Sequence, residues 1–587
     1  MRSIARIFKL LGAKLLAVGS FYQSNPTRFR RHKRAAKILL IKTIPVVVLA
    51  LVSLIIAQIF FKDMPIPPAI QFALLGFWTI VLAIRLYPKI SPFIIVGAAA
   101  ALLAAGIVFT PPVKVTVAFF SVLFIALIAR RIEFGVLALL IMTSSIMHDS
   151  VIPKPFTFGG MGFGASELLL LAMLSIVLFI MGAERRFDEL KSPMVLPMLL
   201  FCFAVVVSIA ISYSNSGGRA WDFKASYIAA RPLFLYLLFF AIAFGIRTER
   251  QLKTIIFGGM VIASIVSLLI VVQYFLGTNA KIFFGTPWAD IRVEALEEES
   301  NVIRSMPPGQ ALINLMFPAT LCLSMVGSRK LRLFCIIASF ALGIGLVFGF
   351  SRSAWVTTIF SLSMLWILSG RQLKMRLTII SVTAVVIAVI GSIALGTMAP
   401  GSAGSKFSSG MTKRFVSIFS RSTLRDAGIQ ARIDENRDTL AQIRRNPVFG
   451  IGVGRPIRYS MWVNPINGQQ GFYPSYAIHN SYLELWLIYG LLGVISFAWL
   501  SITFLIRSLL LYIRTQNPLR KMLALSFFAG YIAYMLSAIA AMMFLHQLYY
   551  IVCTALMWGC VEAMWRMEDQ EQSNDCLSIA SIEHKSP

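Results

Sequence analysis

The chain has 587 residues, of which 58% are hydrophobic and only 13% charged, with a formal net charge of +29. A soluble globular domain carries about 25% charged residues, so a soluble enzyme is excluded. Much of the positive charge falls in short loops between apolar runs, where it sets membrane topology rather than marking a nucleic-acid partner.

Apolar runs of about 18 residues or more recur, each long enough to cross a bilayer core as a helix. They are continuous rather than alternating, which favours helices over a closed barrel. The expected fold class is an all-α polytopic membrane protein with about 14–16 transmembrane helices. Residues 1–41 form a basic, partly amphipathic segment without a small-residue cleavage site, expected to stay attached and to meet anionic headgroups. Spans follow at 42–61, 69–87, 91–110, 112–129, 133–148, 163–183, 193–213, 230–246, 253–276, 308–327, 332–350, 353–369, 376–396, 480–506, 521–543 and 547–564. The six cysteines form no metal or disulfide pattern; five lie in apolar runs and Cys576 in the C-terminal tail.

Lys/Arg bias sets the orientation. With the N-terminus inside, "ERRFDELK" (184–191), "RTERQLK" (247–253), "SRKLR" (328–332), "RQLKMR" (371–376) and Arg507, Arg514, Arg520 and Lys521 all fall inside. Both termini are then cytoplasmic. Two polar outside loops break the pattern, at 277–307 and 397–479. The second is long enough to be functional. It carries eleven Lys/Arg against four acids, Asp426, Asp434, Glu435 and Asp438, which topology does not explain and an anionic partner does. Within it, residues 422–447 place Ile429, Ile433, Leu440 and Ile443 at helical spacing, expected to form an amphipathic helix. The chain therefore divides into 1–41, N-terminal helices 42–219, a central region 220–396, the outside loop 397–479, C-terminal helices 480–565 and a cytoplasmic tail 566–587.

Four stretches could carry chemistry. In "GFSRSAWV" (349–356), Arg352 is the one charged residue between Arg332 and Arg371. It reads either as an interface arginine or as a planar fork aimed at a phosphate, with Ser351 and Ser353 able to cap the next helix. "NPVFGIGVGRPIR" (446–458) spaces three glycines as phosphate loops do, but no strand–helix unit surrounds it, so a turn series is the default reading. In "HNSYLELWLIYGLLG" (479–493), Ser481 and Glu484 match a capping box. His479 stands outside that cap, beside a helix start that favours phosphate, and histidine is the side chain suited to base work near neutral pH. Arg304, Arg231, Arg292 and Arg455 are further outer-face candidates. His148 and His546 also end spans, so position alone does not make a histidine catalytic. No metalloprotease, hydrolase, nucleotide-loop or paired Cys/His motif is present, nor a pair of acids at a span end; metal-independent chemistry without a cofactor is expected.

"GFSRSAW", "NPVFGIGVGR" and "HNSYLELWLIYGLLG" occur in that order around a long outside loop. Over roughly residues 220–565 this resembles the O-antigen ligase and Wzy-type polymerase superfamily of bacterial membrane glycosyltransferases. The resemblance implies a GT-C-like helical enzyme in the bacterial cytoplasmic membrane, with its active site on the extracytoplasmic face. It implies glycan donors on undecaprenyl diphosphate, a glycan, lipid or protein hydroxyl as acceptor, contacts with membrane lipids and none with nucleic acid, and metal-independent, inverting transfer. By motif, Arg352 matches the arginine on the lipid diphosphate and His479 the histidine that activates the acceptor hydroxyl. Arg304 resembles the basic residue ahead of the middle spans, although Pro307 stands where the family often has glycine. Arg231, Arg292 and Arg455 remain for diphosphate binding or positioning, and Ser481 and Glu484 for supporting the site as a cap. The competing class is a polysaccharide or lipid-linked oligosaccharide flippase, which would show internal repeats and midmembrane ionisable residues. No repeat is evident.

Overall fold

The computed structural model describes residues 127–144, 146, 156–158, 161–215, 220–277, 282–283, 294–296, 302–326, 328–397, 403–420, 427–463, 470–475 and 477–583. The basic N-terminal segment, the first three expected spans and nearly all of the fourth lie outside these residues, as do Arg292 and His148. The chain divides into two compact units, Met1–Arg130 with Ser175–Phe187, and Arg131–Leu174 with Asp188–Pro587. Apart from residues 175–184 of the second helix, everything below concerns the second unit.

In chain order the helices are α1 (Ile132–Thr143), α2 (Ala165–Glu184), α3 (Val195–Asn215), α4 (Ala220–Ala230), α5 (Leu238–Gly245), α6 (Glu249–Leu276), α7 (Gln310–Leu323), α8 (Arg329–Phe348), α9 (Arg352–Leu368), α10 (Arg371–Gly396), α11 (Ala403–Phe419), α12 (Ala427–Arg445), α13 (Ser481–Arg514), α14 (Pro518–Ser537) and α15 (Leu548–Glu583). A 3-10 turn, Arg231–Leu237, joins α4 to α5. The only strands among the described residues are three antiparallel hairpins: β1 (Phe156–Phe158) with β2 (Met161–Phe163), β3 (Glu294–Leu296) with β4 (Val302–Arg304), and β5 (Ile457–Val463) with β6 (Gln470–Ser475). Eight helices among the described residues are long and apolar enough to cross a membrane. The protein is an all-α polytopic membrane protein.

α7 is the axis of the second unit. Every residue of it but Phe317 is buried, and it packs against α6, α8, α9, α14 and α15. Tyr534 of α14 donates to the Ala311 carbonyl at 2.6 Å, at the N-terminal end of α7. Trp558, Tyr236, Phe497, Tyr531 and Phe544 pack around one another with ring centroids 5.0–6.5 Å apart, which closes the core between the Arg231–Leu237 turn, α13, α14, α15 and the α14–α15 connection.

The expected span 480–506 is one helix in the sequence but two in the fold. Gly490 takes φ 64°, ψ −163° and breaks α13. The break has a cause: the segment 448–454 inserts there. Ile451 N–H donates to Leu487 O at 2.7 Å, and Leu491 N–H to Val448 O at 2.8 Å, so the inserted chain satisfies groups the interrupted helix leaves open. A Cβ on Gly490 would fall 2.6 Å from the Phe449 carbonyl carbon, at a φ that side chains resist. Gly490→Ala is expected to cost about 3 kcal/mol or more, read as a fall in the melting temperature of the solubilised protein.

The opposite end of the unit is tied by ions. Arg520, 2% exposed, pairs with Glu568 at 3.0 Å and with Glu571 at 2.5 Å. Arg507 pairs with Glu562, Arg514 with Asp569, and Arg566 with Glu189. Several arginines read from the sequence as topology signals are thus also ties to α15. α15 runs through the expected boundary at residue 566 to Glu583, and just beyond that boundary Arg514 holds Asp569 and Arg520 holds Glu568 and Glu571.

Candidate active site

The long segment 397–479 is not structureless. The expected amphipathic helix is present as α12, but α11 and the β5–β6 hairpin were not legible from periodicity. α11 is anchored through Phe407, whose ring lies 4.9–5.6 Å from those of Phe348, Phe350 and Tyr274. This cluster sits under the turn that presents Arg352.

That turn is built locally. Phe350 adopts φ 46°, and Ser351 caps α9 by accepting from Ala354 N–H at 3.4 Å. Arg352 is therefore the first residue of α9. It is half-buried, and its Nη1 donates to Ser417 Oγ of α11 at 3.4 Å. Arg414, 5% exposed on α11, donates through Nε to the Phe350 carbonyl at 3.3 Å. A second arginine thus braces the Arg352 turn. It was counted in the sequence as one of eleven basic loop residues and not as part of the site.

His479 lies in the turn before α13. Its backbone N–H donates to Glu435 Oε2 at 2.9 Å, and its ring Nδ1 lies 3.1 Å from the same oxygen and 3.3 Å from Oε1. A carboxylate only accepts, so the contact selects the form with a proton on Nδ1, and in the neutral ring of that tautomer Nε2 holds the lone pair. Glu435, on α12, was read from the sequence as part of the loop's charge balance. The signal that could have found it is its helical spacing from Ile443, which is buried against Ile457, Ile478 and Leu487 and so turns that face of α12 toward the histidine.

The expected capping box is corrected. Asn480 is the N-cap, accepting from Tyr482 N–H at 3.1 Å and Leu483 N–H at 3.2 Å. Ser481 instead donates to Ala541 O at 2.8 Å and accepts from Met543 N–H at 2.8 Å. Glu484 does reach back, but to Ile478 N–H at 3.1 Å, and it also pairs with His546 at 2.7 Å. The helix starts one residue earlier than the motif implies because the asparagine amide is the better-placed acceptor for two amides at once.

The end of α14 joins the two motifs. Ala538 O accepts from Ser481 N–H, beside His479, and Met535 O accepts from Tyr482 Oη. Two residues further, Ser537 Oγ shares a hydrogen bond with Thr357, on the second turn of α9. Arg352 and His479 therefore stand at the same end of the unit. Arg304 shares that end, at the last position of β4. A Cβ on Gly349 would lie 3.1 Å from Gln310 Oε1 and 3.5 Å from Ser305 O, so the chain just after Arg304 abuts the Arg352 turn. Arg304 is half-buried, with Nη2 2.7 Å from Met306 Sδ.

Arg231 is engaged elsewhere, in an ion pair with Glu167. Arg455 follows Gly454, half-buried in the turn before β5. The glycines of "NPVFGIGVGR" serve packing. Gly450, Gly452 and Gly454 all take positive φ, and added Cβ atoms would meet Leu487 O at 2.6 Å, Ser212 N at 2.7 Å and Ser226 Cα at 2.6 Å. The turn-series reading accounts for them.

No curated protein matches the chain. The family model described as O-antigen ligase, Wzy_C, matches residues 337–498, a narrower stretch than the resemblance suggested. It takes in Arg352, Arg414, Glu435 and His479 and leaves out Arg304 and Arg231. The matched stretch runs from within α8 to just beyond the break in α13, and both sides of the arginine–histidine arrangement lie in this stretch, which is similar to the O-antigen ligase family.

Proposed function

We propose that this protein is a membrane glycosyltransferase that moves or polymerises glycans from undecaprenyl-diphosphate-linked donors at the extracytoplasmic face of the bacterial cytoplasmic membrane. The observation that carries this reading is the Glu435–His479 pair, on a matched ligase-family segment and at the same end as Arg352. In the proposed reaction, His479 Nε2 takes the proton of an acceptor hydroxyl. The hydroxyl oxygen bonds to the anomeric carbon as the bond to the diphosphate oxygen breaks, which inverts that centre. Arg352 and Arg304 meet the charge that grows on the departing diphosphate, since preorganised donors act most strongly where charge develops. The donor is already activated, so the transfer needs no nucleotide.

Glu435 holds the ring in the tautomer that leaves Nε2 free. Glu435→Gln is expected to lower kcat about 10- to 100-fold with little change in donor KM, as misplacement of a catalytic group does; steady-state kinetics in membrane vesicles checks this.

The reading is tested with a lipid-diphosphate oligosaccharide and candidate acceptors in membranes containing the full chain. Transfer lost in both His479→Ala and Arg352→Ala supports it; full transfer in both overturns it. Product length separates a polymerase from a ligase. Movement of labelled donor across the membrane without transfer would favour the flippase.

A further inference from the structure

Two carboxylates hold the turn that presents the histidine, and only one of them touches its ring. Glu435 takes the N–H of His479. Glu484 takes the N–H of the preceding residue, Ile478, at 3.1 Å. The same oxygen, Oε1, lies 2.7 Å from Nε2 of His546. Consecutive backbone amides are thus each bound to a carboxylate, and each carboxylate is also bound to an imidazole.

The second pair is buried more deeply than the first. The Glu484 side chain is 0% exposed and that of His546 25%, against 12% for Glu435 and 33% for His479. A carboxylate with no exposure is costly unless a partner offsets it. Helix capping does not explain its presence, because Asn480 already supplies the cap. Glu484 Oε2 takes no hydrogen bond among the described residues, so Oε1 bears both contacts. His546 belongs to the connection between α14 and α15, which Ser481 binds through Ala541 O, Met543 N–H and Phe544 N–H. Burial lowers the proton affinity of the His546 ring, but the adjacent Glu484 charge and hydrogen bond outweigh it and hold the ring protonated above its usual range.

We propose that Glu484 and His546 are positioning residues of the transfer site: as a buried ion pair they fix the Ile478 amide and thereby the place of His479. The inference rests on the proposed role of His479 as base. Without His546, Glu484 is a buried charge with the Ile478 amide as its one named donor; relief of that charge, by protonation or by rotation of the carboxylate toward water, weakens or breaks its bond to the amide, so the turn shifts while the helix, capped by Asn480, remains.

The test compares full-length wild type, His479→Ala, His546→Ala, His546→Gln and Glu484→Gln in membrane vesicles. It uses an undecaprenyl-diphosphate-linked oligosaccharide as the probe, with melting temperature measured alongside. His546→Ala is expected to lower kcat about 10- to 100-fold with donor KM nearly unchanged. His546→Gln, whose amide still donates to Glu484, is expected to recover most of that loss. Wild-type kcat in His546→Ala overturns the proposal, as does a loss that follows the melting temperature and is not recovered by glutamine. Should His546→Ala fail to accumulate, Glu484→Gln decides: lowered kcat at constant KM supports the positioning role, and wild-type kcat overturns it. Full transfer by His479→Ala would defeat the base itself, whereas an inactive His479→Ala beside a normal His546→Ala defeats only the positioning role.

Discussion

His479→Ala is expected to lower transfer by about 10²- to 10⁴-fold, the range a positioned general base supplies, while insertion and melting temperature stay near wild type. The second half of this expectation comes from the local structure. The start of α13 is capped by the Asn480 side chain, and the docking of that start is carried by Ser481 and Tyr482 on Ala538 and Met535. None of these bonds uses the imidazole. The loss should therefore fall on kcat. A double variant with Glu435→Gln should be no slower than His479→Ala alone, because Glu435 acts through the ring it orients, and groups acting as a unit do not add. A further drop in the double variant would show that Glu435 meets substrate directly.

Arg352→Ala is expected to cost about 10²- to 10³-fold, the effect of removing one well-aimed donor from a developing oxyanion. Arg352→Lys is expected to rescue only part of it, because a lysine is a point charge without the planar fork that meets two phosphate oxygens. Arg352 is the first residue of α9, after a turn held by the Ser351 cap, the Phe350–Phe407–Tyr274 rings and the Arg414 bond to Phe350 O. The guanidinium reaches α11 through a 3.4 Å bond to Ser417. Kinetics with the lipid-diphosphate donor should show a fall in kcat/KM at unchanged expression. Equal activity of the lysine and arginine forms would mean that charge alone, not the fork, meets the diphosphate.

Helix positions from residue 132 onward were legible because lipid solvation leaves a plain signal: long apolar runs ended by charged loops. Arg352 and His479 were legible because each is a lone ionisable residue at the edge of such a run. Glu435 and Glu484 were not. Glu435 lies 44 residues before its histidine and Glu484 62 residues before His546, and no periodicity links them. Glu484 was misread for a more instructive reason: Ser481-Tyr482-Leu483-Glu484 satisfies a local capping rule, but tertiary contacts to Ala541 and His546 took both side chains. Arg414 was hidden by its ten basic neighbours in the loop, since burial, not charge, is what distinguishes it.

By itself, then, the sequence determined that this chain is a bundle of membrane helices with a basic loop and two isolated ionisable residues at helix starts. Apolar run length and the rarity of charge in such runs are properties of the chain alone. The tertiary structure decided what surrounds those two residues: a break at Gly490 filled by the 448–454 segment, a carboxylate on each side of the Ile478–His479 peptide, and a second arginine under the Arg352 turn. Each of these depends on groups far apart in the chain meeting in a low-dielectric interior, where an unmet amide or charge is too costly to leave and the packing of whole helices selects its partner.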